Sequence, residues 1–88
     1  MDDWKILNEA YVKNDYELMG DIFYKHNSDK LALKCYKKAF NYAKGMTQRL
    51  EQEVQDPFNT PSMQEVIKDV YVKYEKTCER IIKKIKNI

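Results

Sequence analysis

The chain is expected to be all-α, a small antiparallel helical bundle with a long C-terminal helix, and three observations carry that expectation. Only two Gly and two Pro occur among 88 residues, too little turn-forming material for a β-sandwich or barrel. Apolar residues recur at steps of three and four along most of the chain, the period of one helix face. Hydrophobic residues make up 43% of the sequence, with seven Tyr, three Phe and one Trp, more than a disordered segment carries. Such a length makes one small domain, residues 1–88, too short for a catalytic domain and a separate binding domain together.

The N-terminal region divides into two short helices. The first, about residues 3–13, offers Trp4, Leu7, Ala10 and Tyr11. Asn14-Asp15 then supplies a turn or cap signal, and a second helix over about 15–26 offers Leu18, Met19, Ile22 and Phe23. A single uninterrupted N-terminal helix is the alternative, because Asn-Asp stops a helix less firmly than Gly or Pro. The third helix, about 29–55, begins where Ser28 or Asp29 can cap it, and its stripe runs Ala32, Tyr36, Ala39, Ala43, Met46, Leu50 and Val54. Gly45 weakens this run by about 1 kcal/mol relative to Ala, yet the stripe keeps its phase beyond it, so the helix is expected to continue. Residues 56–60 form the loop. Thr60 is a good N-cap, and Pro61 suits the first helical position, whose N–H has no partner in any case. From there Met63, Ile67, Val70, Tyr74, Cys78, Ile81, Ile85 and Ile88 keep the helical period, giving a fourth helix over about 61–87. The two long helices are similar in length, and a short loop joins them. They should form an antiparallel hairpin.

The start MDDWKILNEAYV has no basic n-region, long apolar core or small-residue cleavage site, so no signal peptide is expected. Uninterrupted apolar stretches reach two or three residues, against the ~20 that span a bilayer. Cys35 and Cys78 each lie within a helical pattern and outside any CxxC pair; two core-facing, reduced thiols are the simplest reading. A cytoplasmic protein is the expectation.

Between Tyr16 and Ala39 the spacing becomes more specific. Tyr16-x2-Met19-Gly20-x2-Phe23, followed by Ala32-x3-Tyr36-x2-Ala39, resembles a tetratricopeptide (TPR) repeat. The resemblance covers one repeat, about residues 13–44. Gly20 and Ala32 would remove bulk where the two helices approach, and Phe23 and Tyr36 would fill the adjoining space. Tyr16 and Met19 occupy the family's Trp and Leu positions, and Lys44 stands where the family has a helix-ending proline. Trp4-x2-Leu7-x3-Tyr11 echoes the start of a second repeat only in part. One repeat needs neighbours to bury its faces, here the first and last helices. The MIT domain, a hairpin plus a third helix that binds short helical tails, is similar in arrangement, and the Val72-Lys73-Tyr74…Cys78-Glu79-Arg80-Ile81 region loosely resembles its final helix.

The TPR resemblance implies that the first helix of the pair lines a concave surface carrying Glu17, Asp21, Tyr24 and Lys25. Family members that grip a carboxylate terminus do so with Lys and Asn at the positions of Glu17 and Asp21, so a carboxylate clamp is not implied here. Two acids one helical turn apart beside Tyr24 would favour a protein or peptide partner that is basic or amphipathic, the lysine-rich face of a second copy included. Glu17 and Asp21 would otherwise serve simply to keep an exposed helix soluble.

Sixteen basic residues against 14 acidic give a net charge of +2, close to balance, but the distribution is uneven. Residues 1–29 hold seven acids and three bases, residues 30–46 five lysines and no acid, and residues 66–88 seven bases and three acids. Lys34, Lys37, Lys38, Lys76, Arg80, Lys83 and Lys84 read either as solvated helix faces or as a basic surface for nucleic acid. Fourteen of the sixteen bases are Lys, whereas specific phosphate and base contacts favour Arg.

His26 is the only histidine and sits at a helix end beside Asn27-Ser28. No GxGxxG, Walker loop, HExxH or GxSxG occurs, so no catalytic residue, cofactor or metal ligand is expected. The functional expectation is a non-enzymatic adaptor that takes a peptide or partner helix in a helical groove. A small basic nucleic-acid-binding protein is the alternative.

Overall fold

The computed structural model describes residues 2–88. It contains four helices, α1 (Asp3–Val12), α2 (Tyr16–Lys25), α3 (Asp29–Val54) and α4 (Pro61–Lys86), and no strand among the described residues. The fold is a small all-α bundle.

Asparagine makes both short turns. Asn14 and Asn27 have φ of 57° and 62°, the left-handed region that Asn enters more readily than other residues with a Cβ. After α1, the Asp15 N–H donates to the Ala10 carbonyl (2.8 Å) and the Asn14 N–H to that of Tyr11 (3.1 Å). After α2, the Ser28 N–H donates to Phe23 (2.9 Å) and the Asn27 N–H to Tyr24 (3.1 Å). Both sets are Schellman caps with Asn in the position Gly usually holds. The Asn14 turn excludes a single uninterrupted N-terminal helix, because the chain reverses there and Asp15 restarts it by accepting from the Leu18 N–H. Thr60 caps α4 by accepting from the Met63 N–H (3.2 Å), with Pro61 at the first position. Ser28 makes no side-chain cap.

α3 runs unbroken through Gly45, where an added Cβ would meet nothing within 4 Å. Gly20 is the opposite case. An added Cβ there would lie 2.5 Å from Cε1 and 2.6 Å from Cδ1 of Tyr36, so the absent side chain is what lets α2 lie against the ring on α3.

Each helix packs on the next: α1 on α2, α2 on α3, and α3 on α4. One core cluster joins Leu7 and Ala10 of α1 to Met19 and Ile22 of α2 and Cys35 of α3. A second joins Ala32 and Tyr36 of α3 to Ile81 of α4, and Phe23 packs against both clusters. Ile81 is 1% exposed, a burial worth about 1.5–3 kcal/mol. Both cysteines are free and buried.

Several apolar residues expected inside lie outside. Trp4 and Tyr11 are exposed, because α1 has essentially one neighbour and can bury only the strip holding Leu7 and Ala10. Met63, in the first turn of α4, and Ile88, two residues past its end, are also exposed. In α3, Thr47 is buried and Met46 only partly so; the Thr47 hydroxyl donates to the Lys44 carbonyl of its own helix (2.7 Å) and so enters the core with its polarity satisfied.

Candidate functional site

The α3–α4 hairpin is antiparallel. The Tyr71 hydroxyl donates to Glu51 Oε1 (2.9 Å), and Tyr42 meets Tyr74 edge-on at 6.3 Å between centroids. α2 also runs antiparallel to α3, with Asp21 beside Tyr36 and Tyr16 beside Lys38. α2 is therefore parallel to α4, and residues one turn apart on one helix face residues one turn apart on the other.

That geometry brings the sequence-derived acids to the sequence-derived bases. Arg80 donates from Nε to Glu17 Oε2 and from Nη2 to Glu17 Oε1, both at 2.7 Å. Lys84 Nζ reaches Glu17 Oε2 at 2.8 Å and the two Asp21 oxygens at 3.0 and 3.1 Å. The Tyr36 hydroxyl donates to Asp21 Oδ1, and Lys84 Nζ lies 5.8 Å from the Tyr36 ring centroid. Ile81, between Arg80 and Lys84, inserts beside Ala32 and Tyr36. The result is a polar seat on α2 and α3 that holds one basic, apolar-anchored turn of α4.

The electrostatics follow from these contacts. Hydrogen bonds from Arg80, reinforced by Lys84 and opposed by partial burial, hold the Glu17 carboxyl down at about 2. The bond to Glu17 raises Arg80 further. Burial works against the Lys84 ammonium, but its bonds to Glu17 and Asp21 outweigh burial and raise it. Burial, followed by the bond to Asp21, pushes the Tyr36 phenol well above its ordinary range.

The four residues predicted to line a concave surface thus divide. Glu17 and Asp21 are engaged by α4. Lys25 pairs with Asp3 of α1 at 3.1 Å. Tyr24 is half-exposed and lines a cleft of about 230 Å³ with Asp21, Tyr36, Lys84 and Asn87. The predicted basic surface divides as well. Arg80, its side chain still half-exposed, and Lys84 bind the seat, Lys38 lies 5.4 Å over the Tyr16 ring, and Lys34, Lys37, Lys76 and Lys83 stay exposed and unpaired with the seat. His26 donates from Nε2 to Asp3 Oδ2 at 3.0 Å and stacks on Trp4, which ties the end of α2 to α1. Among the described residues, no three His, Cys, Asp or Glu side chains converge as a metal site, and no helix is long and apolar enough to cross a membrane.

A second surface was not anticipated from the residues alone. α2 has ten residues and covers about 15 Å of a hairpin whose 26-residue helices each run about 39 Å. Where α2 begins, a groove of about 180 Å³ opens between α2, α3 and α4, walled by Tyr16, Glu17, Ala39, Tyr42, Tyr74 and Ile81. Farther along, Met63 and Val66 are exposed on α4. The signal for this surface was the mismatch in helix length: an apolar stripe that outruns its covering helix leaves part of itself open.

These features define a class of small helical bundle with a salt-bridged C-terminal helix. Comparison with family models, with curated proteins and with solved structures finds no match.

Proposed function

We infer that this chain is a non-enzymatic interaction module that takes a partner helix in the groove between α3 and α4 beyond the start of α2. The observation that supports this reading is the uncovered length of the hairpin. Tyr42 is 63% exposed there, with Met63 at 50% and Val66 at 56%, while the covered end of the same hairpin buries Ile81. An amphipathic helix presenting apolar residues at three- and four-residue steps matches such a groove. Tyrosines with one wet edge suit it too, because the ring gives apolar area and the hydroxyl stays hydrated.

The test compares the immobilised wild-type chain with a Tyr42→Lys, Tyr74→Lys variant, after nuclease treatment and with helical circular dichroism confirmed for both. Proteins retained at 0.5 M salt by the wild type should be absent from the variant. Identical retention by both chains removes the groove from the account. Capture of nucleic acid that falls steeply with log[salt] would instead favour the basic-surface reading.

A further inference from the structure

We propose that the seat on α2 and α3 is a helix-binding site that takes the Arg80–Ile85 segment of a second copy of this chain as well as its own, so that two copies pair by exchanging α4. The seat adjoins the open groove, which Glu17 and Ile81 also line, but the proposal rests on the contacts of α4 with Glu17 and Asp21 and not on a partner helix in the groove.

The seat is complete without α4. Its two carboxylates come from α2, and the hydroxyl that orients Asp21 comes from α3. Ala32, fully buried, and Tyr36 provide the apolar floor. What the seat recognises is also plain, because the structure shows it filled. It takes a guanidinium that meets Glu17 with two parallel bonds, an apolar residue one position on, and an ammonium one turn on that bridges Glu17 and Asp21. Nothing in these contacts depends on α4 belonging to the same chain as α2. The contacting residues lie 63 and 67 positions apart in sequence.

The connection between α3 and α4 adds little that would hold α4 to its own copy. It spans residues 55–60, it is followed by Pro61, and Phe58 at its tip is 92% exposed. Pro57 and Pro61 disfavour a continuous helix through this stretch, so the connection can act as a hinge. α4 itself buries only Ile67, Cys78 and Ile81. Its own seat wins at low concentration because a short tether gives an effective concentration on the order of millimolar. The same contacts form between copies once that advantage is removed. Exchange makes reciprocal use of both seats, which gives a closed two-fold dimer.

Charge inversion removes the tether's advantage selectively. One chain carries Glu17→Lys and Asp21→Lys; the other carries Arg80→Glu and Lys84→Glu. Each alone faces like charges across its own seat, but each seat matches the other chain's α4. Each variant alone should be monomeric by light scattering and melt several degrees below wild type. Their equimolar mixture should give a species of twice the mass, with helicity and melting temperature restored towards wild type. A single chain carrying all four substitutions should remain a monomer and melt near wild type, which verifies that inverted pairs still fit. Partial unfolding of either variant alone does not spoil the result, because recovery on mixing is the readout. A mixture that keeps the monomer mass and the lowered melting curve of its components overturns the proposal. Adding Tyr42→Lys to both chains alters the adjoining groove but neither the Glu17–Arg80 nor the Asp21–Lys84 pair, and the heterodimer should survive it.

Discussion

Arg80 on α4 grips Glu17 on α2 with two parallel hydrogen bonds of 2.7 Å across 63 residues of sequence. Fork-to-carboxylate pairing of this kind fixes orientation as well as proximity. Here it sets the rotation of α4 about its own axis, and with it the packing of Ile81 against Ala32 and Tyr36. Lys84 extends the pairing by one turn to Asp21, so α2 and α4 are registered in parallel although they are joined only through α3.

The pairing makes stability depend on pH in a defined direction. Glu17 is held at about 2 instead of its ordinary 4.5. Its contribution is therefore present above about 4.5 and is lost as pH falls towards 2. A Glu17→Gln variant resembles the protonated acid, so it should melt below wild type at pH 5 and above, with the gap closing near pH 2. Melting curves over that range check this, and a gap that does not change with pH would contradict it.

The two glycines should respond oppositely to alanine. At Gly20 the new Cβ would collide with the buried Tyr36 ring, and the overpacking should destabilise by about 1–3 kcal/mol. At Gly45 the surroundings are open, and removing a mid-helix glycine should stabilise by about 0.5–1 kcal/mol. Denaturant titration of both variants reads the signs directly.

Asn27 should behave as a cap whose conformation matters more than its side chain. At φ 62°, Asn27→Ala should cost about 1 kcal/mol and Asn27→Gly should cost nothing or stabilise slightly. The same thermal melts test both, and equal loss in the two variants would assign the effect to the amide side chain.

The fold class was legible because it rests on local signals. Thr60-Pro61 marks the start of α4 from two residues, and the stripe that keeps phase across Gly45 marks α3 as one helix. The Asn14 turn was legible only as one of two options, because whether Asn adopts a positive φ is decided by the packing of α1 on α2. The site was half legible. Glu17 and Asp21 stood out as acids suited to a basic, apolar-anchored segment, and Arg80 and Lys84 as part of a basic stripe. That the two sets meet was not legible, since it depends on the length of α3 and the register of the hairpin, which no single helix's periodicity sets. The available signal was complementary spacing, acids four apart on α2 and bases four apart on α4.

Glu17 and Arg80 should be energetically coupled across the bundle, and a double-mutant cycle isolates that coupling. Wild type, Glu17→Gln, Arg80→Gln and the double variant are unfolded in urea at pH 7 and low salt. The bidentate geometry predicts a coupling of about 1 kcal/mol, at the upper end for solvent-accessible pairs. It also predicts that the coupling shrinks as salt is added. Additive losses, with a coupling of roughly zero at low salt, would contradict it.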